Sequence, residues 1–262
     1  MRGLFQWLLL VVVLAGGCSG SVPAESSATV ATSQPAPRAE ATHLVSYSGG
    51  ARPDQPLPMV ILIHGYGGTP DKMLQSFGVI DTPARIVSLR GQANQRRGYF
   101  WFPVNVDDPD VPALAVDLRR VGGNLSREIQ DLKRQYPTQG LPIVLGFSQG
   151  AMIAMELGLT VPHELGAAIV VAGYYPPQLF PASPSEANGT HLYALHGTAD
   201  DVLPIEHMRE AIAHLRRTKY TIDYREVEGM GHAVDGPSLR ALLKVLRREA
   251  ARQTELGQAG HP

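Results

Sequence analysis

Ser148 lies in the G-x-S-x-G pattern of residues 146–150, where its hydroxyl could act as a nucleophile. A serine hydroxyl is a weak nucleophile at neutral pH, so it needs an adjacent imidazole that takes its proton. The imidazole needs a carboxylate on its other nitrogen, which holds its tautomer and stabilises its charged form. His232 can supply the imidazole, and either Asp200 or Asp201 can supply the carboxylate. These residue types and their order along the chain predict a Ser-His-Asp triad.

Apolar runs of strand length alternate with helical patterns from residue 43 onward. We predict strands over 58–63, 85–89, 141–145, 167–171, 191–195 and 220–227. Apolar residues spaced by three and four predict helices over 113–136, 149–159, 205–217 and 237–252. The unbroken apolar strands and their alternation with helices predict an α/β fold with an open, mostly parallel sheet and helices on both faces. The three triad candidates each follow a predicted strand, at the edge where such sheets bind ligands.

A strand before Ser148 and a helix after it are the context in which G-x-S-x-G forms a nucleophile elbow. The backbone N–H of Gln149 then lies at a helix N-terminus and can donate to a developing oxyanion. A second donor is expected from a Gly-rich turn after the first predicted strand, and we assign it to the backbone N–H of Tyr66. His64 precedes this turn, and we expect it to support the loop by hydrogen bonding.

The motifs resemble those of the α/β-hydrolase superfamily and, within it, of the phospholipase/carboxylesterase group that includes acyl-protein thioesterases. The resemblance covers about residues 58–248 and rests on four strings: His64-Gly65-Tyr66-Gly67, Gly146-Phe147-Ser148-Gln149-Gly150, His196-Gly197 followed by Asp200 and Leu203-Pro204, and Gly231-His232. It implies an α/β-hydrolase fold and cleavage of carboxylic esters or thioesters, and it implies no cofactor or metal. It also selects Asp200 as the triad acid over Asp201 and Asp235.

The aromatic string of residues 98–102 resembles the segment that lies beside the acyl pocket in this family. The resemblance therefore implies that Trp101 and Phe102 form part of the wall of a substrate pocket.

Residues 1–18 are typical of an export signal that ends in a lipobox. Arg2 precedes a short apolar run, and small residues lead to Cys18, which we predict to be lipidated. An ordinary cleaved signal with an incidental cysteine is the alternative. These features predict an exported protein in the cell envelope, anchored by lipid to a membrane and facing the periplasm or the exterior.

The composition of residues 19–42, rich in Ser, Ala, Thr and Pro, predicts a flexible tether. We expect the hydrolase domain over 43–254 and a flexible tail over 255–262. An envelope location disfavours cytosolic acyl-protein substrates and favours lipid-like, xenobiotic or cell-wall acyl esters.

The overall composition excludes several other classes of protein. The chain has 262 residues, of which 44% are hydrophobic, and a net charge of −1, so it can bury a core and lacks the charge of a general nucleic-acid binder. A single Cys excludes a disulfide framework and a multi-cysteine zinc site. His191 and His196 stand five apart across the predicted strand 191–195 and need not share a face, which disfavours a metal site. The oligomeric state cannot be read from these patterns.

Three alternatives to an esterase remain open from the sequence. A peptidase or a lactone hydrolase can use the same fold and triad, although a dienelactone-type enzyme usually has Cys at the position of Ser148. A non-catalytic surface lipoprotein that binds a ligand is the third. A complete set of triad residues disfavours it, because a binding protein does not need all three groups.

Overall fold

The computed structural model describes residues 42–93, 98–103, 111–182 and 190–259. These residues belong to the unit Glu40–Pro262. The predicted export signal, the predicted lipidation site Cys18 and all of the predicted tether except Thr42 lie outside the described residues.

Six of the described strands follow the predicted pattern with small changes in their ends, and three further strands were not predicted. In chain order they are β1 (His43–Ser48), β2 (Met59–Ile63), β3 (Ala84–Leu89), β4 (Gln92–Ala93), β5 (Tyr99–Phe100), β6 (Ile143–Phe147), β7 (Ala167–Val171), β8 (His191–Gly197) and β9 (Ile222–Val227). Seven of them form one sheet in the order β1-β3-β2-β6-β7-β8-β9, in which β1 is antiparallel to β3 and every other pair is parallel. β4 and β5 form a separate antiparallel pair.

Five helices of the described residues cover both faces of this sheet. They are α1 (Pro70–Phe77), α2 (Val111–Gln135), α3 (Gln149–Thr160), α4 (Ile205–Arg217) and α5 (Gly236–Ala259). One buried cluster contains Leu118 of α2, Ile153 of α3 and Met208 of α4, and the other contains Met73 of α1 and Leu246 of α5. None of the described helices combines the length and the hydropathy that crossing a membrane requires.

The strands are apolar without interruption because both of their faces are buried. In β2, Met59 and Ile61 belong to the cluster under α2, α3 and α4, whereas Val60 and Leu62 belong to the cluster under α1 and α5. All four side chains are fully buried. The predicted open, mostly parallel sheet with helices on both faces is confirmed.

Besides β4 and β5, the sequence prediction lacked helix α1 and strand β1. Helix α1 has only eight residues, and its side-chain cap is the Thr69 hydroxyl, which accepts a hydrogen bond from the Lys72 backbone N–H at 3.4 Å. Its apolar face consists of Pro70, Met73 and Phe77, which is too short a pattern to separate from a loop. Strand β1 pairs with β3 at the sheet edge and carries polar and apolar residues together.

Helix α5 continues through Ala259, whereas the sequence predicts its end near 252, so part of the segment expected as a tail over 255–262 is helical. Its last turns lie against the loop that follows α2. A Cβ at Gly257 would come within 2.9 Å of the Cβ of Gln139, so this loop packs directly on the helix and stabilises turns that carry little apolar sequence.

Candidate active site

Ser148 stands at the junction between β6 and α3 in a strained backbone conformation. Its φ and ψ are 55° and −117°, a region that residues with a Cβ seldom adopt. The two flanking glycines permit this turn, because a Cβ at Gly146 would overlap the carbonyl of Gly150 and a Cβ at Gly150 would overlap the carbonyl of Ile63. The Ser148 backbone N–H donates to Val171 O at 3.0 Å, which holds the turn against β7. The geometry is that of a nucleophile elbow.

The structure brings the three predicted triad side chains into one hydrogen-bonded line. Asp200 Oδ2 lies 2.8 Å from His232 Nδ1, and His232 Nε2 lies 2.9 Å from Ser148 Oγ. A carboxylate accepts, so Nδ1 carries the hydrogen and Nε2 is left to accept the Ser148 hydroxyl. The other carboxylate oxygen of Asp200 accepts the backbone N–H groups of Val202 at 3.1 Å and Leu203 at 2.8 Å.

A second histidine contacts the same carboxylate. His196 Nε2 lies 2.8 Å from Leu203 O and 3.2 Å from Asp200 Oδ2, so it faces two acceptors and carries the hydrogen. Burial lowers the pKa of His196, which favours the neutral imidazole, and the bond to Leu203 O only partly opposes this effect. The sequence places His196 in the H-G-x-x-D string and disfavours it as a metal ligand. The contact between His196 and Asp200 was not predicted, although their spacing in this string was the available signal.

The two predicted oxyanion donors flank Ser148. The turn that contains Tyr66 lies against the serine, since a Cβ at Gly65 would come within 3.0 Å of the Ser148 Cβ. Among the described residues, neither the backbone N–H of Tyr66 nor that of Gln149 has a protein acceptor. The neighbouring N–H of Gly67 donates to Tyr99 O at 2.9 Å. Both candidate donors are therefore available to a substrate oxygen.

His64 has a structural place in the loop, as the sequence suggests. Its Nε2 accepts the Gly91 backbone N–H at 3.1 Å, so Nδ1 carries the hydrogen and donates to Gly65 O at 2.7 Å. Burial lowers the pKa of His64, although the contact to Gly65 O opposes the shift. Because its only lone pair is occupied, the neutral ring has none to offer a substrate as a base.

A cavity of about 410 Å³ opens beside His232 and Tyr66. Its apolar lining consists of Met73, Phe77, Phe147, Val234 and Leu239, and its polar lining includes Thr69, Lys72 and Ser76. The cavity thus places an apolar surface next to the imidazole that contacts Ser148. The lining comes from the loop after β2, from α1, from the end of β6, and from the loop that contains His232 together with the start of α5.

Trp101 and Phe102 do not line this cavity, so their predicted place in its wall is corrected. Both side chains are buried, with exposures of 4% and 0%. Hydrogen bonds turn the segment inward, because the Trp101 backbone N–H and the Phe102 carbonyl both bind the side chain of Gln149. The aromatic residues that line the cavity are Phe77, Phe147 and Tyr66 instead.

The described residues contain no group of three or more His, Cys, Asp and Glu side chains that could hold a metal ion. His191 and His196 belong to different clusters of side chains. His191 lies 3.3 Å from Glu249, whereas His196 contacts Asp200.

Comparison with known proteins identifies the class to which this fold and site belong. The Phospholipase/Carboxylesterase family matches residues 50–249, most of the chain, and the chain belongs to this family. Esterase YpfH of Escherichia coli (strain K12) is 28% identical over 207 residues, which cover 74% of this chain and 84% of that protein. Carboxylesterase SOBER1 of Arabidopsis thaliana is 26% identical over 107 residues, 40% of this chain and about half (47%) of that protein.

Solved structures show the same fold. Esterase PE8 superposes with a TM-score of 0.63 at 25% identity and covers 77% of this chain and 98% of its own. The Bacillus cereus carboxylesterase has a TM-score of 0.65 at 18% identity, with 79% and 93% covered. The α/β-hydrolase fold and the family membership expected from the sequence are confirmed, and the chain is a hydrolase of the esterase class.

The position of Asp200 generates a first prediction, with its exposed neighbour as a matched control. Asp200→Asn keeps the shape but presents an uncharged amide to His232, so we expect kcat for an activated ester to fall roughly 10³- to 10⁴-fold with little change in KM. Asp201→Asn changes the same group at an exposed position and should leave kcat within about twofold. Steady-state kinetics would measure both, and comparable losses in the two variants would contradict the selection of Asp200.

Proposed function

We propose that the chain cleaves carboxylic esters or thioesters through an acyl-enzyme on Ser148. The observation that carries the proposal is the continuous line from Asp200 through His232 to Ser148, with contacts of 2.8 and 2.9 Å. Such a line supplies a nucleophile, a base and a carboxylate that orients the base, which is the arrangement that acyl transfer requires.

Acylation starts when Ser148 Oγ attacks the ester carbonyl and its proton passes to His232 Nε2. The carbonyl oxygen becomes an oxyanion, which accepts hydrogen bonds from the backbone N–H groups of Tyr66 and Gln149. The tetrahedral intermediate collapses as the bond to the alcohol oxygen, or to the sulfur of a thioester, breaks. His232 gives its proton to this leaving group, and the acyl group remains on Ser148.

Deacylation repeats the sequence with water as the nucleophile. His232 Nε2 takes a proton from the water, which attacks the acyl carbonyl, and the same two N–H groups hold the second oxyanion. His232 then returns the proton to Ser148 Oγ as the carboxylic acid leaves. Asp200 stays ionised throughout and stabilises the imidazolium that forms in each half of the cycle.

The backbone strain at Ser148 is further support for catalysis over simple ligand binding. Holding a residue with a Cβ at a φ of 55° and a ψ of −117° costs on the order of 1–3 kcal/mol. A binding protein gains nothing from this cost, whereas a nucleophile needs its hydroxyl raised above the sheet. A peptidase or a lactone hydrolase on the same fold would use the same groups, so the leaving group must be tested directly.

Ser148→Ala tests the nucleophile. We expect turnover of p-nitrophenyl butyrate to fall roughly 10⁴- to 10⁶-fold, because no other group in the line can form the acyl-enzyme. A fluorophosphonate should label the wild type and leave this variant unlabelled. Ser46→Ala, which removes a hydroxyl from the edge strand β1 outside the cavity lining, is the matched control and should keep both turnover and labelling. Wild-type turnover by Ser148→Ala would refute the proposal, and hydrolysis of amides or lactones in preference to esters would favour an alternative.

The cavity beside His232 is the proposed binding site for the apolar part of the ester. Leu239→Trp fills part of it, so we expect kcat/KM to fall about 10-fold or more for the longer members of a series of p-nitrophenyl esters and little for the acetate. Leu243→Trp alters the same helix one turn further on, outside the cavity lining, and should leave the chain-length profile unchanged. Identical profiles for the two variants would assign the substrate to another surface.

The proposed location is the cell envelope, with Cys18 as the lipid attachment site. The proposal rests on the sequence of residues 1–18, in which a charged start, an apolar run and small residues precede the cysteine. The described residues begin at Thr42, more than twenty positions after Cys18. A coil of that length would separate the domain from a membrane surface.

Expression of the full chain in a bacterial host with an alkyne-labelled fatty acid tests this location. We expect the wild type to carry the label and to remain with the membrane fraction, and Cys18→Ala to lose both properties. Ser19→Ala changes the next residue and should retain them. Label that persists in Cys18→Ala, or a wild type without label, would contradict a lipid anchor at this cysteine.

A further inference from the structure

The two oxyanion donors belong to loops that only tertiary contacts hold together. Tyr66 follows β2, and Gln149 begins α3 after β6. β2 and β6 pair in parallel up to Ile63 and Gly146, but the donors lie beyond the end of this pairing. Both N–H groups must point at one oxygen, at about 2.7–3.1 Å, to stabilise the transition state. The loops pack directly on each other at Gly65 and Gly150, and a hydrogen-bonded link between them would add directional control to this packing.

The side chain of Gln149 makes one half of such a link. Its Oε1 accepts the Trp101 backbone N–H at 2.8 Å, and its Nε2 donates to Phe102 O at 2.7 Å. One partner is a donor and the other an acceptor, so only one orientation of the amide satisfies both. The side chain is 2% exposed, and a buried amide with two partners is held firmly in place.

The side chain of Trp101 makes the other half of the link between the two loops. Its indole N–H donates to His64 O at 2.9 Å, and its ring lies 5.0 Å from the His64 ring between centroids. Next to it, Tyr99 brackets the donor turn, because Tyr99 O accepts the Gly67 N–H at 2.9 Å and the Tyr99 N–H donates to Gly68 O at 2.8 Å. The segment of residues 98–103 thus connects Gln149 to both sides of Tyr66.

We propose that the Gln149 side chain is a positioning residue, which holds the two oxyanion donors in register through Trp101. The role rests on the proposed function, since it matters only if an oxyanion forms at Ser148. It is separate from the donation by the Gln149 backbone N–H, because it uses the side chain alone. It also explains why the buried aromatic segment lies under the site and not in the cavity wall.

Gln149→Met tests the role, because it keeps the backbone N–H and the approximate volume but removes both side-chain hydrogen bonds. We expect kcat for p-nitrophenyl butyrate to fall about 10- to 10³-fold with KM changed less than about threefold. The affinity for a trifluoromethyl ketone, which forms a tetrahedral adduct on a nucleophilic serine, should fall in parallel. The affinity for the matching methyl ketone, which reports ground-state binding, should stay the same.

A second variant and a control separate positioning from stability. Trp101→Phe removes the indole N–H to His64 O together with one ring of the indole, keeps the Trp101 backbone N–H, and should reproduce a smaller loss in kcat. The double variant, with Gln149→Met and Trp101→Phe together, should lose less kcat than the product of the two single effects, since both act on one link.

Gln253→Met is the control for stability. It removes a side chain that is equally buried and that accepts the Leu141 backbone N–H at 2.9 Å, before the start of β6. It should lower the melting temperature and leave kcat unchanged.

Two results would overturn the positioning role. One is a Gln149→Met enzyme that melts earlier but keeps its kcat, as Gln253→Met is expected to do. The other is a loss of kcat without a loss of trifluoromethyl ketone affinity. Neither result would contradict the assignment of Ser148 as the nucleophile. Fluorophosphonate labelling of the wild type, and its loss in Ser148→Ala, test Ser148 independently of Gln149. Full activity in Ser148→Ala would instead remove the proposed function and this role together.

Discussion

The start of α3 packs so closely against the ends of β2 and β6 that no Cβ fits at Gly146 or Gly150. This approach holds the intervening Ser148 at a positive φ of 55°, and such an elbow exposes the hydroxyl of the nucleophile above the sheet. It also leaves the Gln149 backbone N–H at a helix terminus beside the same hydroxyl. The same close packing therefore positions both the nucleophile and one oxyanion donor, and a distortion of the elbow would displace both.

Hydrogen bonds around Asp200 fix the position of the carboxylate that orients the base, His232. The carboxylate accepts two backbone N–H groups on one oxygen and faces two imidazoles with the other. Burial keeps the pKa of His196 low, so the second imidazole donates a hydrogen bond without adding a competing positive charge. Asp200 thus contacts His232 at 2.8 Å and the neutral His196 at 3.2 Å through the same oxygen.

Most of the sheet could be predicted because its signals are local. β7 and α4 have the predicted bounds, since each is a continuous apolar or amphipathic run with clear breaks at both ends. The edge strand β1 and the short α1 were missed because their apolar patterns are brief and mixed. The end of α5 was misplaced because its last turns depend on packing against Gln139, a contact that no local pattern encodes.

The sequence by itself determined which groups can react and in what order they occur, because glycines at fixed offsets and strand–turn–helix patterns are short-range features. Only the tertiary structure decided what surrounds those groups. The cavity lining combines α1, β6 and α5 with the loops that follow β2 and precede α5, and the link from Gln149 to Trp101 joins residues 48 positions apart. Trp101 and Phe102 therefore moved from a predicted pocket wall to the support beneath the oxyanion donors, since hydrogen bonds between distant segments decide which way a loop turns.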